Sequence, residues 1–144
     1  MSELKALKEE HEELMHNLRS IKLQGDAGRL FRDMMHILEA HFQAEEETVM
    51  PLLGAVKDLA EETFPKQESQ LVDAFTKLKG TYEKMLSEHS RIRDLANRMI
   101  EDKSAKKAVS LLHDLLHHAA MEEEILYPTA LLAGRLIKKD SNSI

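Results

Sequence analysis

His118-Ala119-Ala120-Met121-Glu122-Glu123-Glu124-Ile125-Leu126-Tyr127-Pro128 sets a histidine and a glutamate four residues apart and then meets a proline. Four residues are about one helical turn, so His118 and Glu122 leave one helix face as neighbours, roughly 5–6 Å apart. An imidazole and a carboxylate on one face suit a transition metal such as iron, manganese or zinc. The same grammar occurs earlier in His41-Phe42-Gln43-Ala44-Glu45-Glu46, and both Pro51 and Pro128 stand ten residues after their histidines. A single His-x-x-x-Glu is ordinarily a solvated pair. Two copies with matching Glu-Glu and proline offsets point to a shared site.

Working outward, the periodicity predicts four amphipathic helices. Helix A spans about Ser2 to Leu23, with Ser2 as its cap and Glu3 at the positive end of its dipole. Its apolar seam is Leu4, Leu7, Leu14, Leu18 and Ile21, with His11 in one core place. The Gly25–Gly28 turn follows. Helix B spans about Ala27 to Met50, its seam Leu30, Met34, Leu38, His41, Glu45 and Val49. Pro51 kinks or ends it, Leu52 to Glu62 forms a short extension, and Phe64-Pro65 breaks the chain. Helix C spans about Lys66 to Ile100, with His89 in an unbroken seam from Leu71 to Met99. Helix D spans about Ser104 to Leu126, capped by Ser104, with Ala108, Leu111, Leu115, His118, Glu122 and Ile125 inward. Thr129 to Lys139 reads as an apolar-faced helical tail packing across the bundle end, and residues 140–144 as a frayed terminus. One domain over residues 1–139 results: an all-α, up-down-up-down four-helix bundle.

A count shows that the seam histidines and glutamates can meet. In antiparallel neighbours, residues at one level are equidistant from the turn between them. The midpoint of His11 and His41 falls at Asp26, that of His89 and His118 between Lys103 and Ser104, and that of Glu45 and His89 at Gln67. The first two lie at predicted breaks and the third beside Pro65. His11, His41, Glu45, His89, His118 and Glu122 therefore share one level of the core. Such a layer is a poor core without a cation, because an unpaired buried carboxylate is costly. Four imidazoles and two carboxylates exceed the needs of one tetrahedral zinc. Two adjacent metals bridged by Glu45, Glu122 and a solvent-derived group use these donors better.

His16, His36 and the His113/His117 pair fall off the seams, on polar faces. Glu46 and Glu123 are solvated-face residues or hydrogen-bond partners of a ligand histidine. Tyr82 is a core residue or a redox or proton relay.

Composition bounds the remaining classes. The chain has 144 residues, 5 Gly, 3 Pro and only 4% aromatics, which favours helices around an aliphatic core. A net charge of −6 argues against nucleic acid as the main partner. With 0 Cys, disulfides, thiolate zinc sites and iron–sulfur clusters are excluded from this chain. No run is long enough to span a bilayer and no signal peptide is evident, so a soluble cytoplasmic protein without membrane partners is expected.

These residues resemble the hemerythrin-like HHE cation-binding family, over about Leu4 to Leu132. The resemblance rests on His11, His41-x3-Glu45, Glu88-His89, and His118-x3-Glu122 with Leu126-Tyr127-Pro128. It implies a bundle around a non-haem di-iron centre, with two iron ions, oxo- or hydroxo-bridged, or with manganese or zinc in their place. His11, His41, His89 and His118 would then be terminal ligands, with Glu45 and Glu122 bridging. Oxygen carriers of the family use His-x-x-x-His in helix C and His-x4-Asp in helix D. Here Met85 and Arg93 flank His89 at four residues on either side, and helix D reads His-x3-Glu. The chain is thus closer to the sensing and repair branches. The resemblance implies a protein that binds or responds to oxygen, peroxide or nitric oxide, or that holds iron; if it signals, it does so through a protein partner. An oxygen- or peroxide-reducing enzyme and a bundle that binds metal only for structure are the alternatives. The ferritin-like reading needs two Glu-x-x-His motifs, and only Glu13–His16 fits, off the seam.

Overall fold

Apolar residues recurring every three or four positions fold the chain into helices, seen in a computed structural model that describes the backbone of residues 2–142 and the side chains of residues 7–139. Helix α1 is Ser2–Arg19, α2 Gly25–Gly54, α3 the short Val56–Ala60 and α4 Glu68–Glu101. A 3₁₀ turn, Lys103–Ala108, leads into α5, Val109–Met121. A π-helical segment, Glu122–Leu126, joins α5 directly to α6, Tyr127–Asn142. The architecture is the expected all-α bundle, with α1, α2, α4 and the α5–α6 rod as its four members. No strand occurs among the described residues. The expected roles of Ser2, Glu3 and Leu4 fall on side chains outside those described.

Several boundaries differ from expectation, each for a local reason. Helix α1 stops at Arg19, and Gly25, at φ +64°, turns the chain so that α2 begins two residues early. Helix α2 continues through Pro51 to Gly54. The cap of the segment after α4 is Asp102, whose carboxylate accepts from the Ser104 amide at 2.9 Å and hydroxyl at 2.7 Å. Those bonds lower the Asp102 pKa.

The largest difference lies at the end of helix D. The Tyr127 amide reaches back five residues to the Glu122 carbonyl, which widens one turn by a residue. Pro128 has no amide to donate and its ring crowds the preceding turn, so the α ladder is weakened at this point. The extra residue rotates everything beyond it. Ile125, expected in the core, is 56% exposed, while Tyr127, Ala130, Ala133 and Ile137 turn inward. The C-terminal tail is helical as expected, but it continues the fourth helix along α2 and α4 instead of crossing the bundle end. Gly134 permits the close approach to α4: a Cβ there would lie 2.2 Å from the Phe75 ring.

Packing positions the site. One apolar cluster gathers Leu14, Leu18, Met34, Leu38, Ile92, Met99, Leu112 and Leu115. A second gathers Val49, Leu52, Leu71, Phe75, Leu78, Met85, Tyr127 and Ile137. Fully burying each such side chain is worth about 1.5–3 kcal/mol. On every helix the six polar core residues stand between the members of these two clusters. A buried polar layer is thereby clamped from both ends.

Candidate metal centre

All six expected residues are at most 4% exposed: His11 on α1, His41 and Glu45 on α2, His89 on α4, His118 on α5 and Glu122 in the π segment. Their donor atoms form two groups that share Glu122. His41, Glu45, His89 and Glu122 make one, and His11, His118 and Glu122 the other, each with its donor atoms within 4.8 Å of one another. Glu122 spans them. Its Oε1 lies 3.1 Å from His89 Nε2, and its Oε2 lies 3.3 Å from His118 Nε2 and 3.5 Å from His11 Nε2. Glu45 reaches between the groups with one oxygen: Oε1 is 3.5 Å from His41 Nε2 and 3.7 Å from His11 Nε2.

Two observations show that this donor set fits cations. The Nε2 atoms of His11 and His118 approach to 3.1 Å, and two imidazole lone pairs at that distance need a proton or a cation between them. Glu45 Oε1 is buried with no hydrogen bond. Leaving a buried acceptor unpaired costs about 1–3 kcal/mol, more when it is charged. A cation among these atoms removes both penalties.

A ring of outer carboxylates orients the histidines. Glu88 is 3.2 Å from His41 Nδ1, Glu123 is 2.9 Å from His89 Nδ1, and Glu10 is 2.8 Å from His118 Nδ1. Accepting the Nδ1 proton leaves each Nε2 lone pair facing inward and makes it more basic. Arg93 donates to Glu123 at 2.9 Å from the rim, so the residue four after His89 supports an outer carboxylate and lies outside the cluster.

Tyr127 is the residue that sequence reading missed. Its hydroxyl donates to Glu45 Oε2 at 2.6 Å and lies 3.0 Å from the Nε2 atoms of both His41 and His89. An unbroken α-helix put Ile125 inward and gave Tyr127 no role; only its place beside Pro128 marked it. Tyr82, the tyrosine considered as a relay, packs edge-on behind it with ring centroids 6.1 Å apart. Of the two outer acids expected, Glu123 takes the role and Glu46 does not. Glu10 and Glu88 were missed because an acidic residue beside a core histidine looks solvated until a facing helix is known. His16, His36, His113 and His117 are exposed and outside the cluster.

Burial and mutual charge split the titrations. Burial, and then the neighbouring Glu122 carboxylate, push the Glu45 carboxyl well above the usual range. Burial also opposes charge on Glu122, but its interactions with Glu45 and with the imidazoles of His11, His118 and His89 outweigh it and hold that carboxyl low. Burial and then the neighbouring His89 lower His41. Burial likewise opposes charge on His118, yet Glu122 and Glu10 together raise it. Burial, then the charges of Glu45 and Glu122, keep the Tyr127 phenol protonated.

A four-helix bundle whose middle layer is four imidazoles and two carboxylates defines a cation-binding bundle protein. The chain belongs to the hemerythrin HHE cation-binding domain family, whose model matches residues 2–130. No curated protein and no solved structure matches the chain significantly. Among the described residues no helix is long and apolar enough to cross a membrane.

Proposed function

We propose that this protein is a non-haem di-iron protein that binds or responds to oxygen, peroxide or nitric oxide. The observation that carries the reading is Glu122, whose two oxygens face two different sets of histidines. A carboxylate so placed bridges two ions, and mixed imidazole and carboxylate donors suit iron better than structural zinc. His41 and His89 would hold one ion with Glu45, His11 and His118 the other, and Glu122 both. Bound iron supplies a change of valence and a coordination position for a small ligand.

The protein's own residues supply the setting. Glu10, Glu88 and Glu123 hold three imidazoles in the donor tautomer. Leu38, Ile92 and Leu115 wall one side of the cluster with apolar side chains. Tyr127 holds a proton directly against Glu45. That proton favours, as a second reading, an enzyme that reduces peroxide, consuming two protons and two electrons from an external donor per turnover.

Protein purified without oxygen should carry two equivalents of iron and change its absorption spectrum on exposure to oxygen, peroxide or nitric oxide. A single change marks a binding or sensing protein, and sustained peroxide loss with a reductant marks the enzyme. Zinc alone, with no spectral response after iron loading, would return the site to a structural role.

A further inference from the structure

The two halves of the bundle repeat one pattern. His41, Glu45, Glu46 and Met50 on α2 correspond to His118, Glu122, Glu123 and Tyr127 on the fourth helix, and Glu10-His11 on α1 corresponds to Glu88-His89 on α4. In each case an outer glutamate adjoins a cluster residue in sequence and serves the histidine of the next helix. Glu10 serves His118, Glu123 serves His89 and Glu88 serves His41. The pattern leaves one place to fill, Glu46 on α2 serving His11 on α1. That contact is open. His11 is 3% exposed, yet its Nδ1 has no hydrogen-bond partner.

The open contact coincides with an opening in the protein. A groove of about 840 Å³ lies between α1 and α2, and both His11 and Glu46 line it. His11 is stacked on Phe42, which also lines the groove, with ring centroids 4.1 Å apart. Four carboxylates of the groove outnumber its two cations, Lys8 and Arg19, so the mouth attracts positive ions. The asymmetry extends inward, because Tyr127 adds its hydroxyl to the His41/His89 group, whereas the matching residue of the other half is Met50.

We propose that the two metal positions are unequal. The position built by His11, His118 and Glu122 is the exchangeable one, reached through the α1–α2 groove, and Glu46 is the positioning residue that turns to accept the His11 Nδ1 proton when that position is filled. The proposal rests on the two-ion reading above. An imidazole without an outer acceptor is a less basic and less firmly oriented ligand, and losing such an acceptor typically weakens metal binding about 10–100-fold.

The test is loss of Fe²⁺ from the anaerobically loaded protein to excess chelator, followed by absorbance. Two equivalents should leave in two separate phases. His11→Ala should keep one slowly released equivalent. Glu46→Ala should speed the fast phase about tenfold or more and leave the slow phase unchanged. Glu46→Gln, which retains an acceptor oxygen, should do so less. Glu47→Ala, which removes a groove carboxylate outside the repeat, should not. Two equivalents leaving in one phase would overturn the inequality, and Glu46→Ala acting like Glu47→Ala would overturn the role of Glu46; either result spares the two-ion reading. Uptake of a single equivalent by the unaltered protein would overturn both.

Discussion

The Tyr127 hydroxyl donates a 2.6 Å hydrogen bond to Glu45 Oε2, joining residues 82 positions apart inside the metal-binding layer. The bond ties the first turn of α6 to the middle of α2, and it exists because the π segment turns Tyr127 inward. It also explains how a carboxylate can be buried so deeply before any cation arrives, since one of its oxygens is already satisfied.

Tyr127→Phe keeps the ring and removes that donor. The metal-free protein should lose about 1–3 kcal/mol, because Glu45 Oε2 then joins Oε1 as an unpaired buried acceptor. Urea denaturation of chelator-treated protein measures the loss. An unchanged midpoint and slope would mean that Glu45 finds another partner.

Glu10→Ala, Glu88→Ala and Glu123→Ala should each weaken metal binding about 10–100-fold, as loss of an orienting carboxylate does elsewhere. His16→Ala, His36→Ala, His113→Ala and His117→Ala should leave metal content intact, because these histidines are exposed and outside the cluster. Chelator competition reads both sets. Equal effects from the surface histidines would mean that metal is held somewhere else.

The stability of metal-free protein should fall as pH rises from the ordinary glutamate range through neutrality. The Glu45 carboxyl is pushed up from about 4.5 on folding, so in that window the folded chain binds more protons than the unfolded one. The stability that Glu45 contributes is present at and below the ordinary glutamate range and lost as Glu45 ionises, whereas Glu122, held low, withdraws its own contribution only as pH falls below that range. His118, also raised, acts in the same direction above its ordinary value of 6.5, and His41, which is lowered, opposes it at and below that value. Glu45→Gln should flatten the decline. Melting temperatures at several pH values decide this, and a metal-free variant that declines as steeply as the unaltered protein would clear Glu45 of the effect.

Gly134→Ala should destabilise the protein by about 1–3 kcal/mol, the usual cost of overfilling a packed core. The new methyl would meet the Phe75 ring at 2.2 Å, against a side chain that is itself 2% exposed. Adding Phe75→Leu should recover part of the loss. If Gly134→Ala alone is neutral in chemical denaturation, α6 is not seated so closely on α4.

The sequence by itself determined the four-helix plan and the membership of the buried layer. His11, His41, Glu45, His89, His118 and Glu122 occupy core places in a repeat of three and four, and their distances from the predicted turns put them at one level. Helical periodicity and antiparallel neighbours are local facts, and both can be counted along a chain. Tertiary structure alone decided the rest. The turn from Glu122 to Leu126 widens by a residue, a choice made by how α6 packs on Phe75 and Leu78 as well as by Pro128, and it exchanges Ile125 for Tyr127 in the core. The outer carboxylates were equally hidden. Glu88 adjoins His89 in sequence but serves His41, because a side chain one residue along a helix points about 100° away, toward the neighbouring helix. Which histidine gains a carboxylate, and that His11 has none, depends on the faces that four helices turn to one another.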